Sequence, residues 1–263
     1  MNQPTMLESR KVAEGISSIT SYMPIPGYGV LPVNAFVIHA EQPVLVDTGL
    51  GALGDDFMRE LRSVINPEEL RWIWISHADM DHLGNYQAVL AAAPNARVVT
   101  SYIGMAKMGL HGLPIDRVFL LNPGQELNVG DRKLLAVKPP TYDAPETTGL
   151  FDPASSTLIS ADCFGALLEK PFENAAEIKQ NSLLEGSILW SSIDAPWLGV
   201  VDPDKFGKTL LSIEQLNANT ILSSHLPPAD DMSKTLLAIL AEAHKAPAFV
   251  GPDQKTLEKM MAA

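Results

Sequence analysis

The segment Ser76-His77-Ala78-Asp79-Met80-Asp81-His82-Leu83-Gly84-Asn85 places four potential metal ligands, His77, Asp79, Asp81 and His82, within six residues. Imidazole nitrogen and carboxylate oxygen are the donors that hold iron, manganese and zinc in proteins. The cluster follows residues 70–75, an almost wholly apolar stretch broken only by Arg71, so its side chains leave the end of a buried strand. A strand end gives a rigid base, and a loop after it lets alternate side chains converge on one point. Taken singly, each residue reads better as part of a polar turn, with Asp81 or Asn85 capping the next helix. Taken together they point to a metal, because imidazoles and carboxylates withdrawn from water at this density need a cation to offset desolvation.

Layered elements must carry such a site. Residues 33–40 and 44–46 read as two strands joined by Glu41-Gln42-Pro43, the second ending at Asp47-Thr48-Gly49. Helical spacing follows over 55–64, then the 70–75 strand, an Ala-rich helix over 86–93 stopped by Pro94, and a strand over 96–101. This β-loop-α-β order is that of an α/β protein. Short strands alternate with turns over 117–137, and a hairpin built on Asp152-Pro153 joins 149–151 to 157–160. Amphipathic helices over 204–216 and 233–244 enclose a strand at 220–223, which ends at His225. Residues 164–201 show no clear pattern, so a helix or a loop over the site are both open. No linker, repeat or low-complexity tract divides the chain, and a single domain over 1–263 is expected.

Bulk composition narrows the function classes. With 46% hydrophobic and 19% charged residues, the chain can bury a sizeable core. A net charge of −12 disfavours non-specific nucleic-acid binding and docking on anionic membranes, both of which depend on Lys and Arg. Cys163 is the single cysteine, so no intramolecular disulfide forms. The first fifteen residues include Glu8, Arg10, Lys11 and Glu14 and lack a signal-type apolar run, and nothing approaches the ~18 apolar residues of a membrane span. The expected setting is cytoplasmic, with a small-molecule substrate and neither nucleic acid nor membrane as partner.

His77-x-Asp79-x-Asp81-His82 resembles the HxHxDH signature of the metallo-β-lactamase superfamily, with Asp at the second His position. Asp47-Thr48-Gly49 resembles that superfamily's first motif, and the similarity runs from Pro32 to Pro228. The resemblance implies a four-layer αββα fold with two mixed sheets between helices. It also implies a bridging ligand at Asp162 and a last histidine at His225. A carboxylate in the second position is similar to the diiron domain of flavodiiron proteins, whose motif reads HxExDH. Asp143-Ala144-Pro145-Glu146-Thr147 resembles their His-Trp-Pro-Asp-Ser/Thr stretch, and Asp162-Cys163-Phe164-Gly165 their Asp-x-Phe-Gly segment. Here Asp143 replaces the third histidine and Asp79 is shorter than the usual Glu. No flavodoxin domain is expected in the stretch from His225 to Ala263, which implies a separate protein as electron donor. A homodimer is a further expectation of the resemblance.

Carried over by position, metal one is held by His77, Asp79 and Asp143, and metal two by Asp81, His82 and His225, with Asp162 between them. Tyr142 and Glu146 stand as alternatives to Asp143. Four carboxylates, three imidazoles and no thiolate form an oxygen-rich set that favours iron, with manganese or zinc as alternatives. Asp162, His225 and Asp81 are the residues expected to act most directly in catalysis. Asp47 is expected to orient a ligand or hold its turn. His39 reads as structural, His244 as a helix-end charge, and His111 as a loop residue that serves as proton donor if it reaches the centre. Cys163 points away from the metals, and Trp190 and Trp197 pack over the site. Three functions follow. The first is a non-haem diiron oxidoreductase acting on dioxygen, nitric oxide or a related small oxidant. The second is a hydrolase of esters, lactones, thioesters or phosphoesters using a metal-bridging hydroxide. The third is a non-catalytic sensor or binding protein, motivated by the replaced histidine at position 143.

Overall fold

The computed structural model describes residues 3–262; Met1, Asn2 and Ala263 lie outside it. Eight strands form the first sheet: β1 (Thr5–Met6), β2 (Arg10–Ala13), β3 (Ile16–Ile25), β4 (Gly29–Ile38), β5 (Val44–Val46), β6 (Trp72–Trp74), β7 (Arg97–Thr100) and β8 (Val118–Leu120). Their order is β1-β3-β4-β5-β6-β7-β8, with β2 also paired to β3; β3 to β5 run antiparallel and β5 to β8 parallel. Six strands form the second: β9 (Glu126–Asn128), β10 (Lys133–Val137), β11 (Gly149–Asp152), β12 (Thr157–Ile159), β13 (Thr220–Leu222) and β14 (Ala229–Asp230). Only the β12–β13 pair is parallel in that sheet. Both sheets are therefore mixed, as the resemblance implies.

The layering follows from the two-residue period of strand side chains. Val44, Val46, Trp74 and Val99 turn to one face and meet Leu134, Leu150, Ile159 and Leu222 of the second sheet. The alternate residues Leu45, Ile73 and Val98 turn the other way, onto Phe57, Leu61 and Val89. Those come from α1 (Gly54–Val64) and α3 (Tyr86–Ala92). On the far side, Phe151, Leu158 and Ile221 pack on Leu183, Phe206 and Leu240. These belong to α5 (Gln180–Asp194), α6 (Pro203–Glu214) and α7 (Ser233–Ala243). The result is the four-layer αββα sandwich.

Several elements go beyond the sequence expectation or resolve what it left open. Strand structure begins at Thr5 rather than at residue 33, the unpatterned 164–201 stretch contains α5, and a terminal helix, α8 (Gln254–Ala262), follows α7. Part of the polar cluster is also helical rather than loop, as α2 (Met80–Leu83), and α4 (Tyr102–Leu110) precedes His111. Among the described residues no helix is long and apolar enough to cross a membrane.

Candidate metal centre

Every ligand candidate leaves the same edge of the two sheets. His77, Asp79, Asp81 and His82 follow β6, Asp143 follows β10, Asp162 follows β12, and His225 follows β13. Backbone contacts fix the loops on one another. Thr148 N donates to Ser76 O at 2.9 Å and Ser224 N to Ala161 O at 2.9 Å, joining the ends of the strands that carry the ligands. Buried Asn34 of β4 donates through Nδ2 to Ser223 O and Leu226 O, both at 2.8 Å, and so straps the His225 loop onto the first sheet. Gly84 lets α2 press on the Asp47 loop: a Cβ there would lie 2.2 Å from Gly51 N and 2.3 Å from Gly49 O. Among the described residues, three of the six non-glycine residues with left-handed backbone, Asp47, Ala161 and Phe164, border the centre. Strain of this kind persists only where surrounding contacts over-determine the conformation.

The hydrogen-bond partners settle all three imidazole tautomers. Asp47 can only accept, taking Ser76 N (2.8 Å) on Oδ1 and both Ser76 Oγ (2.7 Å) and His82 Nδ1 (2.8 Å) on Oδ2. The Ser76 hydroxyl, its proton given to Asp47, accepts from His77 Nδ1 at 3.0 Å. His225 Nδ1 donates to the Pro32 carbonyl at 2.7 Å. Each Nδ1 thus carries the proton, and each Nε2 turns its lone pair to the centre.

Those lone pairs meet Asp162. His82 Nε2 and His225 Nε2 lie 3.0 and 3.1 Å from its Oδ1, and His77 Nε2 lies 3.1 Å from its Oδ2. Asp81 Oδ2 stands 3.5 Å from His82 Nε2 and 3.4 Å from His225 Nε2. Ligand atoms of Asp81, His82 and His225 fall within 4.8 Å of one another, as do those of His77, Asp79 and Asp143. His77 Nε2, His82 Nε2 and Asp162 Oδ1 are buried and have no hydrogen-bond partner. Acceptors facing acceptors repel unless a cation or proton lies between, so these residues would fit metal ions held between them.

Protons take the cation's role when it is absent. Burial alone would lower the His82 imidazole, but Asp81, Asp162 and Asp47 hold it well above the ordinary histidine value. His77 and His225 shift up in the same way against their burial, chiefly through Asp162. Burial would raise the Asp162 carboxyl, yet the three imidazoles drive it well below the usual carboxylate range.

The seven sequence candidates lie together, and Glu146, one of the alternatives to Asp143, falls in none of their clusters. Glu146 is buried and paired to Lys107 Nζ at 2.7 Å, while the Tyr142 ring lies under Lys138 Nζ, 3.6 Å from its centroid. Asp47 orients His82, as expected. His39 Nε2 bonds Ser17 Oγ at 2.9 Å, and His244 ends α7 with Nδ1 on Ala241 O. His111 is exposed at the end of α4. Cys163 is buried, and burial pushes its thiol up to about 12. Trp190 donates to Asp162 O at 3.1 Å and its ring lies 4.5 Å from that of His225, whereas Trp197 donates to Tyr142 O at 2.8 Å. Sequence reasoning missed Asp194, whose carboxyl falls within 4.8 Å of Asp143 and Asp162, and the oriented hydroxyl of Ser76. Ser76 adjoins the ligand run; Asp194 lies in the unpatterned stretch, with no spacing to flag it. Beside Asp81 opens an apolar cavity of 740 Å³, walled by Met23, Leu31, Met80, Trp190 and Phe249.

Comparison with known proteins agrees with this architecture. The family model described as the metallo-beta-lactamase superfamily matches residues 28–225. The chain is 33% identical over 149 residues to a putative diflavin flavoprotein A 1 of Thermosynechococcus vestitus, covering 55% of this chain and 26% of that protein. It is 22% identical to a nitric oxide reductase of Moorella thermoacetica, covering 73% of this chain and 48% of the relative. It thus spans half or less of these curated relatives. In three dimensions it is similar to the rubredoxin oxygen:oxidoreductase of Desulfovibrio gigas, with a TM-score of 0.76 at 19% identity, covering 90% of this chain and 62% of that one. The 1–254 fragment of a putative diflavin flavoprotein A 5 from Nostoc sp. superposes with a TM-score of 0.74 at 14% identity, covering 93% of this chain and 97% of the fragment.

Proposed function

The chain belongs to the metallo-beta-lactamase superfamily, and from that premise we propose that it is a non-haem diiron oxidoreductase acting on dioxygen, nitric oxide or a related small oxidant. The observation that carries this reading is the ligand set. Asp79, Asp81, Asp143 and Asp162 stand with His77, His82 and His225, and no thiolate contributes. Oxygen-rich ligation favours iron or manganese over zinc. Four carboxylates also offset the charge of two divalent cations, which supports a higher oxidation state and weakens the acidification of a bound water. Bound there, two irons would supply electrons to a diatomic molecule.

The protein's own residues position and screen. The Asp47–Ser76 pair and the Pro32 carbonyl keep three Nε2 atoms aimed at the centre, so no imidazole has a ring nitrogen left over to shuttle protons. Trp190 covers His225 and, with Met80 and Leu31, gives the 740 Å³ cavity an apolar wall. Apolar gases partition into such a space more readily than into water.

The same cavity is large enough to seat an organic acyl or ester group, which keeps hydrolysis as a second reading. Anaerobic loading with Fe(II), followed by measurement of oxygen and nitric oxide consumption with a chemical reductant, tests the first. Turnover of either gas is the expected result. If neither gas is consumed while zinc- or manganese-loaded protein cleaves esters, lactones or phosphodiesters, the oxidoreductase reading is overturned.

A further inference from the structure

Asp194, the last residue of α5, has no assigned part in the centre, yet its surroundings give it one. Its carboxyl reaches within 4.8 Å of ligand atoms of both Asp143 and Asp162. The residue is 6% exposed, and its Oδ2 is buried without a hydrogen-bond partner. Among the described residues no Lys, Arg or His forms an ion pair with it. The backbone around it is held firmly. Ala195 N donates to Ser191 O at 3.0 Å, Phe249 N to Ser192 O at 3.1 Å, and Trp190 Nε1 to Asp162 O at 3.1 Å. Gly186 presses α5 so closely onto Leu167 that a Cβ would lie 2.2 Å from its carbonyl oxygen. The helix end that carries Asp194 is therefore fixed in place beside the centre. Two buried carboxyls, Asp162 and Asp194, meet the more exposed Asp143, and a buried carboxylate without a partner is far more costly than one on a cation.

We propose that Asp194 is a ligand of the first metal position, beside His77, Asp79 and Asp143, and that the two positions are chemically unequal. This rests on the reading of the cluster as a dinuclear metal centre. The first position then has one imidazole with carboxylates from Asp79, Asp143, Asp194 and the shared Asp162. The second has two imidazoles, with Asp81 and Asp162. Carboxylate oxygen suits Mn and other hard ions, whereas imidazole adds most to the affinity for Zn and its neighbours. Given one equivalent of each, the protein places zinc in the second position and manganese in the first.

The test uses the full chain stripped of metal, then supplied with one equivalent each of Mn(II) and Zn(II). Bound metal is counted by elemental analysis after gel filtration, and manganese is followed by EPR. Wild type is expected to retain one of each, with the EPR of an isolated Mn(II) beside diamagnetic zinc. Asp194→Asn keeps the side-chain volume, and is expected to weaken manganese retention by at least the ~10- to 100-fold seen when even outer partners of a ligand are removed, leaving zinc in place. His225→Gln is expected to do the reverse. Retention of manganese by Asp194→Asn with an unchanged EPR spectrum overturns the ligand role. Loss of zinc instead of manganese, or spin-coupled manganese pairs in wild type, overturns the inequality of the two positions. Failure of wild type to bind either ion would instead remove the dinuclear reading beneath the proposal.

Discussion

Replacing Asp47 with Asn changes one atom and should disarm two ligands. Asn tolerates the left-handed backbone at this position (φ 59°), so the turn survives. The Ser76 backbone N–H, 2.8 Å from Asp47 Oδ1, cannot become an acceptor, so the new amide must keep its oxygen there. Its NH₂ then takes the place of Oδ2 and faces His82 Nδ1 and Ser76 Oγ, both of which donate to Asp47 at present. Two donors cannot share that gap. His82 must move its proton to Nε2, which removes the lone pair aimed at the centre. Ser76 Oγ, now accepting from the amide, turns its own proton towards His77 Nδ1 and presses the same exchange on that ring, 3.0 Å away. Loss of an orienting partner of this kind typically costs 10- to 100-fold in metal affinity, or about 1.4–2.7 kcal/mol. Here both metal positions should weaken, because one carboxylate supports His77 and His82 together. Competition against a fluorescent chelator at neutral pH measures each affinity, and melting of the metal-free variant checks that the fold is retained. If Asp47→Asn binds both metals as tightly as wild type, the tautomer assignment is wrong.

The metal-free protein should lose stability as pH rises from about 4 towards 8. Burial raises the Asp194 carboxyl to about 8 and also raises Asp143. His77, His82 and His225 likewise hold protons above their ordinary value, so in this range the folded state binds more protons than the unfolded chain. Asp81 and Asp162, shifted down, act oppositely and only at lower pH. Metal binding displaces these protons, so melting temperatures with metal should instead hold or rise over the same interval; a metal-free curve that also rises would contradict the assignment. Gly165→Ala would put a Cβ 2.5 Å from Trp190 Nε1 and 2.8 Å from His225 Cβ. Denaturant titration should show a loss of about 1–3 kcal/mol, and metal counting a loss at the second position first. Iodoacetamide should leave Cys163 unmodified in the native protein by mass spectrometry, since the thiol is buried and shifted to about 12, and should alkylate it only after unfolding.

The parts of the fold that were legible in the sequence are those whose buried faces are apolar. The 70–75 run and the helix over 55–64 announce themselves because Ile73, Phe57 and Leu61 belong to one dry layer. β3 is silent for the opposite reason: Ser17, Ser18 and Ser21 are buried within it, and Pro24, a residue that reads as a strand breaker, stands inside the ladder opposite Val30. α5 hides likewise, because Gly186, Ser187, Ser191 and Ser192 form much of its buried side, where the helix approaches its neighbours closely. Most of the ligand set was visible because four of its members lie within six residues, Asp162 and His225 follow recognisable strands, and Asp143 falls in a stretch that resembles a flavodiiron motif. Asp194 was not, since it comes from the end of a helix whose register could not be read.

The ligands of the two positions are supplied by loops from both sheets, and this makes the centre a proofreader of assembly. Asp162 meets His77 and His82 only if the second sheet has docked on the first in the correct alignment; a slip of one residue would turn a strand's side chains to the wrong face. A chain packed in that way would keep much of its apolar contact but would have nowhere to put a metal. The order of synthesis adds a sequence to the check. All residues around the first position have been made once Asp194 is reached, whereas the second waits for His225. His225 sits on a loop held by Asn34 of β4, and the Asp162 loop is held by Ser224, so a filled centre would report that both sheets have closed.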